Sequence, residues 1–505
     1  MKKKGFTLIE LMAVIIVLGI LAIITTPIMS DVLETSRKRA FEDSVYGLIK
    51  SVNLDKADSG FNVEKTYTLT NGVISPDINT KGSVNGTGTI KTDLDGQIYV
   101  SIQYDKWCAD KDYSESRVVV TEGTCLVNSE TTTANVPYLF SNMIPVRFDG
   151  TKWVKANKRN PTSSPWYNYG SKLWANAVVV KEVGTKTRDY YLSDAAVDQE
   201  VKEADVLAYF VWIPRFKYAI PGTLQINVVF ESGIPDKATG NAVGTNYLTH
   251  PGFTFGNEEL TGIWVSKFSA TGTFDNVTSK PNLTFLKTVG QSDYLVIYYS
   301  AINNMQLTNN AFGFNPSKMD LHIMKNNEWG VVSYLANSIY GKNSQIWRNV
   351  SNYISGCGAT TFNDCSNTTC QTYTTTNGLQ ASTTGNVTGV YDMVARNGDI
   401  VMANYNGMSG SSGFNNFPLT KYYDKYTTTV SATACNGGIC YGQGLSETAG
   451  WYSGQAGFVD SSFPWSRRGG TCGTPSSIFA YGNSLNQNYT GWQGDMNVHL
   501  TLVKD

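Results

Sequence analysis

Charge is scarce in this chain of 505 residues: Asp, Glu, Lys and Arg make up 16% of it, against about 25% in ordinary soluble domains. The formal net charge is −1, and it becomes −4 once Lys2, Lys3 and Lys4 are set aside (−1 − 3). With no basic excess, the composition gives no reason to expect specific nucleic-acid binding. Histidine is rarer still, with His250, His322 and His499 scattered along the chain. No Cys-x2-Cys pair, His-Glu-x-x-His, Gly-x-Ser-x-Gly or phosphate-binding glycine loop occurs. Zinc, metalloprotease, serine-hydrolase and nucleotide chemistry therefore lack their signatures. Glu258-Glu259 reads as a solvated loop pair rather than an acid–base dyad, and His322, just before a helix, as a capping or core group. The expectation is no enzyme, no metal and no cofactor. Asn, Thr, Ser, Gly and Tyr fill the gap left by charge, and aromatics reach 12%. That balance suits an extracellular, β-rich protein with sugar-like or protein partners.

The N-terminus carries the one long hydrophobic run. From Phe6 to Ile28 the only charge is Glu10. Twenty-three residues at ~1.5 Å each make a helix of ~35 Å, enough for a hydrocarbon core of ~30 Å. A secretory signal would have a shorter apolar core followed by a small-residue cleavage site; here Gly5 precedes the run and follows three lysines. A carboxylate in mid-membrane costs roughly 2.5–3.5 kcal/mol on insertion scales, so Glu10 calls for a partner. Pro27 cannot donate to the helix ladder and is expected to weaken or kink it.

The residues Lys2, Lys3, Lys4, Gly5, Phe6, Thr7, Leu8, Ile9 and Glu10 resemble the prepilin segment of type IV pilins and pseudopilins. The resemblance implies cleavage between Gly5 and Phe6 by a prepilin peptidase and N-methylation of Phe6. It makes Glu10, four residues on, the assembly glutamate, and Gly19 and Pro27 match helix-loosening positions. A Phe6 ammonium could then pair with Glu10 of a neighbouring subunit. The implied life history is an inner-membrane subunit that joins other pilin subunits in an extracellular filament.

The eight cysteines fall in local groups. In an exported chain an even count suggests disulfides. Cys108 with Cys125 and Cys435 with Cys440 are the natural local pairs; among Cys357, Cys365, Cys370 and Cys472 the pairing is open.

Along the chain, helical spacing continues to about Val52, with Val45, Leu48, Ile49 and Val52 as the face that packs on a sheet. Between residues 60 and 135, Tyr67–Thr70, Gly88–Thr92, Gln97–Tyr104 and Ser116–Thr121 read as short strands, with turn chemistry at Asn71-Gly72 and Asp95-Gly96. From Pro137 tryptophan becomes frequent. Ile144–Val154 reads as a hairpin turning at Asp149-Gly150, Ala208–Tyr218 and Leu260–Phe268 as strands, and Lys325–Gly341 as a helix with Trp329, Val332, Ala336 and Ile339 on one face. Residues 355–390 and 403–450 read as Gly/Ser/Thr/Asn-rich loops. The division expected is a leader 1–5, an assembly helix 6–53, a small β-sheet domain 54–135 and an extension 136–505.

Within the extension, Trp212-Ile-Pro-Arg-Phe, Gly262-Ile-Trp-Val-Ser-Lys-Phe, Glu328-Trp-Gly-Val-Val-Ser-Tyr-Leu, Thr384–Met393, Arg468-Gly-Gly and Val498–Val503 resemble the C-type-lectin-like fold of the formylglycine-generating-enzyme (sulfatase-modifying-factor) superfamily. The class this implies is α+β: a long N-terminal helix on a small antiparallel sheet, then a large β-rich lectin-like domain. The enzymes of that superfamily use a cysteine pair after Arg-Gly-Gly, whereas this chain has Cys472 alone. Binding is the expectation instead, through Trp465, Arg468, Tyr481, Asn483, Asn486, Asn488, Tyr489, Trp492 and Asp495, aromatic platforms interleaved with amides. The partner expected is an extracellular glycan or protein.

Overall fold

The computed structural model describes residues 8–59, 65–80, 85–92, 97–111, 117–123, 125, 136–222, 225–286, 294–307, 310–347, 353–359, 369–394, 399–410, 412–427, 441–443, 447, 451, 459–462, 464–468 and 497–504; within the first stretch it omits the side chains of residues 10–11 and 18–32. The chain divides into two compact units, 1–130 and 131–505.

In the first unit, α1 (Leu8–Ser59) is followed by β1 (Lys65–Thr70), β2 (Val73–Ser75), β3 (Thr87–Thr92), β4 (Ile98–Tyr104), β5 (Trp107–Lys111) and β6 (Val119–Glu122). They pair antiparallel in the order β2-β1-β3-β4-β5-β6. Asn71, at φ 48°, and Gly72, at φ 86°, make the turn from β1 to β2, a left-handed pair that Asn-Gly favours. Phe41, Val45, Leu48 and Val52 recur at four-, three- and four-residue steps and so share one helix face. All four are buried in one core with Tyr67, Leu69, Ile90, Val100, Ile102 and Ala109 of the sheet. β5 carries no alternation of apolar and polar residues that would mark it as a strand; all five of its residues are buried.

The second unit centres on a seven-stranded sheet, ordered β19-β26-β16-β10-β9-β7-β8. Its members in chain order are β7 (Ile144–Phe148), β8 (Trp153–Lys155), β9 (Asn176–Val180), β10 (Val206–Pro214), β16 (Gly262–Ser266), β19 (Met319–Ile323) and β26 (Leu500–Lys504). β10 is buried at every residue, as a strand covered on both faces must be. The last strand, β26, lies between β16 and β19 and closes the sheet. A three-stranded sheet joins β11 (Phe216–Gly222), β12 (Gln225–Phe230) and β13 (Leu248–Thr249). Two-stranded ribbons pair β14 (Thr254–Phe255) with β15 (Glu258–Glu259), β17 (Thr271–Thr273) with β18 (Asn276–Thr278), and β20 (Cys357–Gly358) with β21 (Gln371–Thr372). In a further sheet, β22 (Asp399–Tyr405) pairs with β23 (Asp424–Tyr426), β24 (Trp465–Arg468) and β25 (Asn497–Val498). Among the described residues three α-helices complete the unit: α2 (Arg188–Leu192), α3 (Tyr294–Leu307) and α4 (Asn326–Asn337).

The expected α+β class is corrected. The described chain is mostly β, with twenty-six strands against four α-helices, α1 alone being long. The long helix dominates the opening of the sequence, but short strands recur through everything after it. One local reading is corrected as well. α4 stops at Asn337, so Ile339 does not extend its buried face and is 64% exposed. The stretch Ser382–Val390, within the 355–390 segment expected as loop, is non-repetitive in backbone as expected but largely buried; Val390 and the following Tyr391, Met393 and Val394 lie in core clusters.

Candidate functional site

The two halves of α1 differ. In the first, Leu8, Ile9, Met12, Val14, Ile15, Ile16 and Val17 are each between 48% and 77% exposed. Four consecutive apolar residues, at about 100° per step, cover every side of a helix, so this half has no polar face to turn to water. In the second half Phe41, Val45, Leu48 and Val52 form the buried stripe described above, while Leu54 stands outside it and is 56% exposed. A seam of charge flanks that stripe: Lys106 bonds Glu34, lies 3.2 Å from Glu122, and places its ammonium 5.1 Å from the Trp107 ring centre.

α1 runs through Gly19 and Pro27. Gly5 and Phe6 lie outside the described residues, as do the side chains of Glu10 and Pro27. Among the described residues no helix is long and apolar enough to cross a membrane.

Cys108 and Cys125 are joined, with Cα atoms 4.8 Å apart, and tie β5 to the chain beyond β6. Cys357 is joined to Cys370, across 5.1 Å, one of the pairings the sequence left open. Cys365, Cys435, Cys440 and Cys472 lie outside the described residues.

Of the residues expected to bind a ligand, Trp465 and Arg468 are described, and both are buried. The expectation that they are surface contacts is corrected. Trp465 donates its indole N–H to Ser409 O at 2.9 Å and packs against Phe414, Phe417 and Tyr423. Arg468 lays its guanidinium 4.5 Å from the Trp329 ring centre, donates from Nε to Asn326 Oδ1 at 2.8 Å, and bonds Gln443 O through Nη2. Burial lowers it to about 10, which leaves it charged at neutral pH. Tyr481, Asn483, Asn486, Asn488, Tyr489, Trp492 and Asp495 lie outside the described residues.

Arg468 belongs to a polar layer on α4 that the sequence did not reveal. Asn326 Nδ2 donates to Tyr426 Oη at 3.1 Å, and Asn327 N donates to Asp424 Oδ2 at 2.6 Å. The backbone at Gly442 comes so close that a Cβ on Gly330 would stand 1.8 Å from Gly442 O; only glycine fits at 330. Glu447 anchors the same stretch. It accepts from Tyr218 Oη at 2.8 Å, Tyr334 Oη at 2.6 Å and Gly442 N at 2.7 Å. Burial lifts this carboxyl to about 7 against the pull of those hydrogen bonds. His250 is held neutral by burial, which lowers it to about 3.

His322 is a core histidine bracketed by acids. Nδ1 lies 3.1 Å from Asp320 Oδ1 and Nε2 lies 3.1 Å from Glu328 Oε1, with Phe255 stacked on the ring at 4.8 Å. Burial alone would lower its pKa, but Glu328 and Asp320 outweigh that and raise it to about 9. The alternation Asp320-Leu-His322 on β19, with Glu328 three residues past Lys325 at the start of α4, is the sequence signal that could have found it. Among the described residues no group of three or more His, Cys, Asp or Glu could hold a metal ion.

A comparison with curated proteins found no match. The family model described as "Prokaryotic N-terminal methylation motif" matches residues 1–26. That match covers the whole of Lys2–Glu10 and the exposed apolar half of α1. The chain therefore opens with a type IV pilin-like prepilin segment, which supports the type IV pilin or pseudopilin class.

Proposed function

We propose that this chain is a type IV pilus subunit that assembles through the first half of α1 and displays residues 131–505 outside the cell as an adhesive, lectin-like binding unit. The observation that carries the reading is the apolar surface of Leu8, Ile9, Met12 and Val14–Val17, left exposed among the described residues. Exposed apolar surface on that scale marks a membrane or an intersubunit contact, and the methylation motif occupies the same residues. The sequence of events would be membrane insertion, removal of Met1–Gly5 by a prepilin peptidase, methylation of Phe6, and packing among other pilin subunits with Glu10 pairing to a neighbour's Phe6 ammonium. The resemblance of 205–505 to the lectin-like superfamily and its wealth of aromatics and amides support an extracellular glycan or protein as the ligand.

Shear preparations test the assembly reading. The chain is expected in sheared filaments, and Glu10→Arg is expected to exclude it. A chain absent from filaments while still processed at Gly5 would instead identify a pseudopilin. A glycan and protein binding screen on the full chain, repeated with Tyr489→Ala and Trp492→Ala, tests the displayed unit; unchanged binding in both variants would move the site away from the C-terminal segment.

A further inference from the structure

Asp399 stands where two strands meet. In register it pairs with Arg468 at the end of β24 on one side and with Asn497 at the start of β25 on the other. The chain thus departs from and returns to this sheet at one level. The Asp399 carboxylate is bonded to Asn497 Nδ2, which also donates to Ser269 Oγ at 2.8 Å. Its second oxygen, Oδ2, faces His499 Nδ1 at 3.3 Å.

The hydrogen-bond inventory restricts where protons can be. His499 Nε2 lies 2.9 Å from Tyr391 O. A carbonyl only accepts, so Nε2 carries a proton. A neutral ring would then turn a bare Nδ1 toward a carboxylate oxygen, two acceptors face to face at 3.3 Å. A second proton between Nδ1 and Oδ2 removes that conflict. Next to Tyr391, Asp392 buries a second carboxyl. Its Oδ2 accepts from Gly356 N at 2.9 Å and Ser269 N at 3.3 Å, while its Oδ1 has no hydrogen-bond partner. Asp392, Asp399, Asn497 and His499 are each 1% exposed, so an ionised but unpaired oxygen here meets the full cost of desolvation.

We infer that Asp392, Asp399 and His499 form a proton-held clasp that fixes the end of β24 and the start of β25 to β22, closed when the cluster holds its protons and loosened when it gives them up. The charged groups come from three elements: Asp392 from the loop after Ser382, Asp399 from β22, and His499 from between β25 and β26, and both acids act on the histidine. The neighbouring cations point elsewhere. Lys267 donates to Asn176 Oδ1, Val387 O and Gly389 O, and Arg468 to Asn326 and Gln443. Burial pushes Asp392 up to about 7 and also raises Asp399 against the attraction of His499. Burial would lower His499, but Asp399 and Asp392 hold it above its usual range. All three groups therefore bind protons more tightly folded than unfolded. The stabilisation is fully present below the unfolded values, about 4 for the acids and about 6.5 for histidine, and is lost as pH rises through the folded ones.

The test is local hydrogen exchange on the full-length chain in detergent, corrected for the chemical rate at each pH. Protection of Asp399–Tyr405 and Asn497–Lys504 is expected to fall at least about tenfold between about pH 6 and pH 9, the effect of one pK unit, while Asn176–Val180 changes little. A flat profile at the clasp overturns the inference. Asp392→Asn, which cannot ionise, is expected to flatten part of the fall, and a variant that keeps the full fall also overturns it. A measurement on the unaltered protein stands beside the variant should that fail to fold. With ¹⁵N-labelled histidine, His499 is expected to hold its Nδ1 proton above the ordinary histidine range; loss of that proton at or below about 6.5, the ordinary value, contradicts the clasp.

Discussion

Two regions of this protein break the usual rule of burial in opposite directions. From Leu8 to Val17, large apolar side chains stand exposed. In the second unit, Arg215, Glu231, Lys267, Glu328 and Arg468 carry ionisable groups in full burial. The second violation is resolved inside the chain: Arg215 pairs with Glu231 and lies 2.7 Å from Glu259, and Glu328 pairs with His322. The first has no resolution among the described residues. That difference separates a feature the fold uses for itself from one it keeps for an outside contact.

The comparison can be broken from either side. Removing one member of a buried pair leaves the other uncompensated, so Arg215→Met is expected to cost the second unit ~3–5 kcal/mol, read as a lowered denaturation midpoint. In the first unit, Leu48→Ala opens a cavity beneath the sheet and is expected to cost ~2–5 kcal/mol. Ile16→Ala, on the exposed half of the same helix, is expected to change stability by no more than ~0.5 kcal/mol and yet to reduce incorporation into filaments. Equal destabilisation by Leu48→Ala and Ile16→Ala would erase the distinction drawn between the two halves of α1.

The pH dependence of the second unit sharpens the contrast. His322 is raised, so its contribution is whole below about 6.5 and fades as pH climbs through about 9. Asp320 and Glu328 are lowered, so theirs is whole above about 4.5 and fades in acid. The triad should be most stabilising between those limits, and thermal melts of His322→Gln against the parent chain should differ most there. The surface seam contributes little. Lys106→Ala removes a pair whose side chains are 43% and 38% exposed, where screening leaves ~1 kcal/mol or less.

How much of this was legible in the sequence follows from how local each signal is. The prepilin segment is local: a glycine, a phenylalanine and a glutamate at fixed steps in an apolar run. The stripe Phe41, Val45, Leu48 and Val52 follows helical periodicity, and the hairpin at Asp149-Gly150 follows turn chemistry. β5 was not visible because its Trp-Cys-Ala-Asp-Lys sequence is buried at every residue, which leaves no alternation to read. Trp465 and Arg468 looked like ligand contacts because aromatic and guanidinium groups are common at interfaces. What buries them comes from distant positions, Phe414 and Phe417 around one and Asn326 and Trp329 around the other. The polar layer on α4 and the cluster at Asp399 are also built across more than a hundred residues of sequence, and no spacing rule reaches that far.

The most direct test of the central claim is the mass of the mature N-terminus. Taken from sheared filaments and fragmented, the chain is predicted to begin at Phe6 with one added methyl group and to lack Met1–Gly5. A filament-borne chain that still begins at Met1, or one that begins at Phe6 but never reaches a filament, would contradict the account.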